Sequence, residues 1–187
     1  NEIENNLKLL KKNLNKDYNF YDLCINQMIR LNYNDTNKGE LAAFISYAYS
    51  FPDDFLALID TYDTLESGIK NFIIVAYALY ELNYIPIGIR LDSGDLSYLS
   101  KEIRKIFIKE NKKCNTNYKF KDLKIVASND INEKVLYELK NNKHEIDIFG
   151  IGTNLVTCQS QPALGCVYKL VELNNIPRIK ISQQMIK

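Results

Sequence analysis

Apolar positions in the first fifty residues recur at helical spacing: Leu7, Leu10 and Leu14, then Leu23, Ile25, Met28 and Ile29, then Leu41, Phe44, Ile45 and Ala48. No proline and a single glycine, Gly39, interrupt them. That period predicts two or three helices. The polar run Asn32–Asn37 predicts a turn between the second and the third, and Phe51-Pro52 predicts the end of the third. Phe44, Tyr47 and Tyr49 read as core packing.

From residue 55 the rhythm changes to short apolar runs, each followed by a polar cluster and an amphipathic stretch. Phe55–Ile59, Ile87–Leu91, Leu123–Ala127 and Ile146–Phe149 read as buried strands. Glu66–Leu82, Leu96–Glu110 and Asn132–Lys140 read as the helices between them, and 111–122 as a lengthened surface loop. Alternation of this kind predicts an α/β fold with a parallel sheet and helical crossovers. Beyond Gly165 the pattern predicts an antiparallel hairpin, Cys166–Leu173 and Ile176–Ser182, around Asn174-Asn175, because asparagine tolerates the left-handed backbone of a tight turn. The expected organisation is a helical lead-in over 1–50, βα units over 51–165 and a hairpin over 166–187.

Composition narrows the class. The 187 residues are 46% apolar and 25% charged, as in ordinary globular domains, which excludes a disordered or collagen-like chain. Lys+Arg 24 against Asp+Glu 23 leaves a net charge of +1, so no bulk field favours nucleic acid or an acidic membrane surface. The longest apolar stretch, Phe72–Leu82, is short of a membrane span. Four scattered cysteines and one histidine offer few metal ligands and no metal site, and they suggest reduced thiols in a cytoplasmic protein. The chain begins at Asn1 without a secretory leader, so a processed chain or a piece of something larger is expected.

The chemistry gathers where strands end. Asp60–Asp63, then Arg90 with Asp92-Ser93-Gly94-Asp95, then Ser128-Asn129-Asp130, then Gly150–Thr153 each follow a strand. In a parallel sheet those ends share one face, the one that carries sites in such folds. Asp95 and Asp130 suit helix capping equally well. Arg90, at the end of a buried strand among carboxylates, offers a planar fork for a carboxylate or phosphate, or forms an internal ion pair. Gly150 and Gly152 with Thr153 suggest a phosphate cradle, without the fingerprint of a dinucleotide site. His144 precedes the fourth strand, on the opposite face, and reads as a surface residue. Asp60 and Tyr62 read as lining only.

Taken in order, FPDDFLALIDTYDT (51–64), Ser67–Asn71, GIRLDSGDL (88–96), Glu102–Phe107, Ala127–Asn129 and GIGTNLVTCQSQPALGCVYKL (150–170) resemble nicotinate phosphoribosyltransferase over about residues 37–185. The resemblance implies a type II phosphoribosyltransferase: an irregular TIM-like α/β barrel with a further, mostly β region, acting as a homodimer. It joins nicotinate to 5-phosphoribosyl 1-diphosphate, giving nicotinate mononucleotide and diphosphate in NAD biosynthesis, with ATP as co-substrate and Mg2+ assisting. By the same resemblance Arg90 meets the nicotinate carboxylate and Thr153 lies against the base or its nucleotide. Asp92 holds the ribose hydroxyls and faces the charge at the anomeric carbon. Gly150, Gly152 and Thr153 take the 5′-phosphate, with Ser93, Asp95, Ser128 and Asn129 as neighbours.

One departure is large. The family's Gly-Thr-x-Ala-His-Ser segment, whose histidine is transiently phosphorylated, has no counterpart in these 187 residues. The expectation is therefore part of a barrel, inactive in isolation. A phosphate-binding or assembly piece without catalysis, and a related enzyme acting on nicotinamide or quinolinate, stand as the alternatives.

Overall fold

A computed structural model describes residues 8–10, 17–114, 118–158, 168 and 170–178. Two of the predicted lead-in helices form: α1 (Phe20–Leu31) and α2 (Lys38–Ser50). Asn19 caps α1, its Oδ1 accepting the Tyr21 and Asp22 N–H groups at 3.1 and 3.4 Å. Asn32, left-handed at φ 56°, closes it, and the N–H groups of Asn32 and Tyr33 take up the Ile29 and Met28 carbonyls. Phe51 ends α2 one residue before Pro52, as predicted. The helical reading of Leu7, Leu10 and Leu14 is overturned at Leu10. Lys8–Leu10 (β1) pairs antiparallel with Asp17–Asn19 (β2), while Leu7 and Leu14 lie outside the described residues. Apolar runs this short fit either period, and here strand pairing decides.

The βα pattern is present in order. Strands β3 (Leu56–Leu58), β4 (Gly88–Leu91), β5 (Lys124–Ala127) and β6 (Ile148–Phe149) form one parallel sheet, β3-β4-β5-β6. Helices α3 (Ile69–Glu81), α4 (Leu96–Lys113) and α5 (Glu133–Asn141) cross between them, and a short α6 (Thr153–Val156) follows. Among the described residues the sheet is open rather than a closed barrel.

Some boundaries differ from expectation. Helix α4 runs three residues into the expected 111–122 loop. That loop is also anchored: Phe120, in a 3-10 turn over Phe120–Asp122, is fully buried. Thr64–Gly68, ahead of α3, is a π-helical turn capped by Asp63, whose Oδ1 accepts the Leu65 and Glu66 N–H groups. Strands β7 (Glu172–Leu173) and β8 (Ile176–Pro177) form the predicted hairpin around left-handed Asn174 and Asn175, at φ 52° and 60°. The rest of its expected span, 166, 167, 169 and 179–182, lies outside the described residues.

Packing explains why the lead-in helices belong to this unit. Every residue of α3 from Asn71 to Tyr80 is buried, and an apolar-all-round helix needs cover on several sides. Helices α1 and α2 both pack against it. Phe55, ahead of β3, stacks on Phe72 of α3 with centroids 5.5 Å apart; Phe44 of α2 and Phe107 of α4 extend the series. Ala57, Ile89 and Ile125 point into this core. The alternate row Leu58, Arg90, Val126 and Ile148, aligned by strand register, faces the other way.

A polar network ties α2 to α3. The buried Glu40 accepts Ser67 Oγ–H at 2.7 Å and Asn71 Nδ2–H at 2.9 Å through one carboxylate oxygen. Ser67 Oγ accepts the Asn37 N–H, and Asn71 Nδ2 donates to the Asn37 carbonyl, both at 3.0 Å. Burial pushes the Glu40 carboxyl above its ordinary value of 4.5. The Ser67 and Asn71 hydrogen bonds oppose this, while the charges of Asp60 and Asp63 add to it. The folded state therefore keeps the Glu40 proton to higher pH than the unfolded chain does, and stability falls as pH rises through that interval. Glu40→Gln should flatten this fall, as measured by urea unfolding at a series of pH values above 4.5.

Gly68 is set by space. A Cβ there would lie 1.9 Å from the Ile59 carbonyl oxygen and 2.7 Å from its carbon, so α3 can start against the end of β3 only without a side chain. Gly68→Ala should cost at least about 1–3 kcal/mol by overpacking, read from the urea midpoint.

Candidate active site

The ladder bonds that hold the sheet continue one residue past the strands. Ile59 N–H donates to the Arg90 carbonyl, Ser128 N–H to Leu91 and Gly150 N–H to Ala127, at 3.2, 3.0 and 2.8 Å. They line up Asp60, Asp92, Ser128 and Gly150 along one edge, the face on which the strands end.

Arg90, Asp92 and Ser128 meet there directly. Arg90 Nε–H donates to Ser128 Oγ at 2.7 Å, Arg90 Nη2 to Asp92 Oδ1 at 3.2 Å, and Ser128 Oγ–H to the same Oδ1 at 2.6 Å. The expectation of a buried guanidinium is corrected. Although β4 is otherwise buried, the Arg90 side chain is 46% exposed and that of Asp92 44%, because both lie on the sheet face that the described helices leave uncovered. An ion pair this open contributes about 0–1 kcal/mol, so an incoming carboxylate can replace it at small cost. The Arg90 side chain is open and its partners are exchangeable, so the arrangement can take up an anion.

The remaining predicted residues divide. Ser93 Oγ–H donates to Asp60 Oδ2 in a very short contact, and Asp92 N–H donates to the same oxygen at 3.0 Å. Asp60, expected only to line the wall, therefore holds two residues of the β4–α4 loop, Asp92 and Ser93. Neighbourhood on the sheet edge was legible in the sequence; which carboxylate oxygen meets which donor was not. Asp95 caps α4, its Oδ1 accepting the Tyr98 N–H at 2.9 Å. Asp130 does not cap α5. It is left-handed at φ 43°, and Asn132 performs the capping by accepting the Val135 N–H at 3.0 Å.

Two clefts open on this edge. One, of about 360 Å³, lies between the loops after β3 and β4 and is lined by Asp60, Tyr62, Asp63, Glu66 and Ser93 among others. The second, of about 340 Å³, lies between the start of α4 and one face of α5 and is lined by Asp95, Asn129, Asp130 and Asn142 among others. Asn129 thus sits in the side cleft together with the capping Asp95, and among the described residues no hydrogen bond joins it to Arg90 or Asp92.

The glycine loop has a division of labour. The Gly150 N–H is already used by the Ala127 carbonyl, and a Cβ at Gly150 would come within 3.2 Å of Ser128 Cβ. Gly150 therefore provides close approach to Ser128 and no free amide. Gly152 has open space where a Cβ would stand, and the exposed Thr153 begins α6. His144 is half-buried instead of lying free on the surface. Its Nδ1 accepts the Ile146 N–H at 3.0 Å and its ring packs edge-on against Phe149, ahead of β6 and away from the site edge. Cys24 and Cys114 are free thiols, and Cys166 lies outside the described residues. Among the described residues no helix is long and apolar enough to cross a membrane.

No family model matches the chain. Over 155 residues, 83% of the chain, it is 57% identical to nicotinate phosphoribosyltransferase 1 of Arabidopsis thaliana. Over 170 residues, 91% of the chain, it is 55% identical to nicotinate phosphoribosyltransferase of Dictyostelium discoideum. The human nicotinate phosphoribosyltransferase is 44% identical over 149 residues. The chain spans only 28%, 29% and 28% of these three proteins. The crystal structure of human nicotinic acid phosphoribosyltransferase superposes with a TM-score of 0.72 at 33% identity, covering 94% of this chain and 34% of that one. With identity of this order along most of its length and the same fold, the chain is similar to one segment of the nicotinate phosphoribosyltransferases.

Proposed function

We propose that the full-length protein carrying this chain joins nicotinate to 5-phosphoribosyl 1-diphosphate, forming nicotinate mononucleotide and diphosphate, and that ATP hydrolysis drives the reaction toward NAD. The observation that supports this most directly is the open Arg90–Asp92–Ser128 triangle on the site edge of a chain 44–57% identical to named nicotinate phosphoribosyltransferases.

In this reading the guanidinium of Arg90 turns from Asp92 to the nicotinate carboxylate, and the charge-assisted pair selects the acid over the amide. Ser128 holds the Nε edge of the fork in place. Released from Arg90, the Asp92 carboxylate receives the ribose hydroxyls and faces the positive charge that develops at the anomeric carbon as diphosphate departs. Thr153 lies against the base, and the room at Gly152 admits the 5′-phosphate.

Among the described residues no three His, Cys, Asp or Glu side chains converge into a metal cage. Mg2+ needs none, since one or two carboxylates and the substrate phosphates commonly suffice, and the exposed Asp92 carboxylate is a suitable hard-oxygen donor. Bound there with the substrate, Mg2+ would neutralise diphosphate charge. A cytoplasmic homodimer is the assembly this reading carries.

The 187 residues alone should be inactive, because the sheet face bearing Arg90 lacks a covering wall among the described residues and the chain is under a third of its relatives' length. A turnover assay of the isolated chain beside the full-length protein checks this.

The function is tested by assaying the full-length protein with labelled nicotinate and nicotinamide, with and without ATP. Preference for nicotinate and stimulation by ATP are expected, and equal use of both bases would overturn the assignment. Arg90→Ala should raise the KM for nicotinate by about 10- to 100-fold, the worth of a hydrogen bond to a charged group. An unchanged KM would remove Arg90 from the site.

A further inference from the structure

Asp60 stands apart from the other carboxylates on this edge. One of its oxygens, Oδ2, receives two donors from a neighbouring loop, the Asp92 N–H at 3.0 Å and the Ser93 hydroxyl in a very short contact. The other, Oδ1, is buried and has no hydrogen-bond partner. An acceptor left unsatisfied costs about 1–3 kcal/mol, so maximal stability does not explain a carboxylate here. What the carboxylate does achieve is a fixed backbone at Asp92.

That fixation matters because little else restrains the Asp92 side chain. It is 44% exposed, and of its two partners Arg90 is expected to turn to substrate, which leaves Ser128 alone on the carboxylate. Asp60 itself is well anchored. The ladder bond from Ile59 N–H to the Arg90 carbonyl sets its register, and Gly68 packs α3 onto the Ile59 carbonyl directly before it. Rigidity is thereby passed from the core through Ile59 and Asp60 to the Asp92 peptide.

Resting on the function proposed above, we infer that Asp60 is a positioning residue for catalysis: by clamping the Asp92 N–H and the Ser93 hydroxyl on one oxygen it aims the Asp92 carboxylate at the reacting ribose. It acts through Asp92 and leaves nicotinate capture to Arg90. Misplacement of a reacting group by about 1 Å can cost about 100-fold in rate, which sets the scale of the effect.

The test is steady-state kinetics of the full-length protein with Asp60→Ala, Asp60→Asn, Asp92→Asn and the double variants. Asp60→Ala should lower kcat by about 30- to 100-fold and leave the nicotinate KM within about threefold. Asp60→Asn keeps a carbonyl acceptor for the Asp92 N–H and should recover part of the loss. In the Asp92→Asn background, adding Asp60→Ala should cost less than about threefold, the non-additivity of two residues acting as a unit.

Equal losses from Asp60→Ala in both backgrounds, or Asp60→Asn as slow as Asp60→Ala, would each overturn the inference. If Asp60→Ala does not fold, the cycle of Asp60→Asn with Asp92→Asn measures the same coupling. Full activity of Asp92→Asn alone would instead sink the role proposed for Asp92. A lost Asp92 activity with additive Asp60 effects would sink only the positioning role.

Discussion

The parallel ladder through β3, β4, β5 and β6 is the constraint on which the rest depends. Three of these strands, β3, β5 and β6, give up one further N–H beyond their ends, Ile59 to Arg90, Ser128 to Leu91 and Gly150 to Ala127. Those bonds bring four loops distant in the chain onto one edge at hydrogen-bonding spacing. Without them Arg90, Asp92 and Ser128 would be polar residues in separate turns. Parallel strands require this convergence, since their ends share a direction.

Behind the ladder the burial is unusually one-sided. Helix α3 has no solvent face from Asn71 to Tyr80, and α1 and α2 both pack against it. The lead-in helices therefore complete the core. Their polar contact with it, Glu40 to Ser67 and Asn71, sits at the π-helical turn over Thr64–Gly68 that adjoins the site edge. Core packing and site geometry are joined at this turn. Gly68 allows the approach to Ile59, and Asp63 caps the turn from the cleft side.

Much of this was readable from the residues. Apolar runs four or five long, separated by amphipathic stretches, identified four strands and the helices between them, and the Asn174-Asn175 turn followed from the left-handed tolerance of asparagine. What misled was local ambiguity. Lys8–Leu10 fits a helix or a strand, and only its partner Asp17–Asn19 resolves it. Asp130 looks like a cap by position, yet the chain turns left-handed there and passes the cap to Asn132. The 111–122 stretch reads as polar, but one residue, Phe120, carries it into the core.

The sequence by itself determined the order of the βα units, the edge on which chemistry would gather, and the residue types available there, because hydrophobic period and turn chemistry act over a few neighbouring residues. Tertiary structure alone decided how those residues are paired. Arg90 is open because its strand position faces away from the helices. Asp95 is consumed in capping, Gly150 has spent its amide on the ladder, and Asp60 is turned from a lining residue into the acceptor that holds Asp92. Each outcome depends on contacts between segments tens of residues apart, and such contacts are set by strand register and packing.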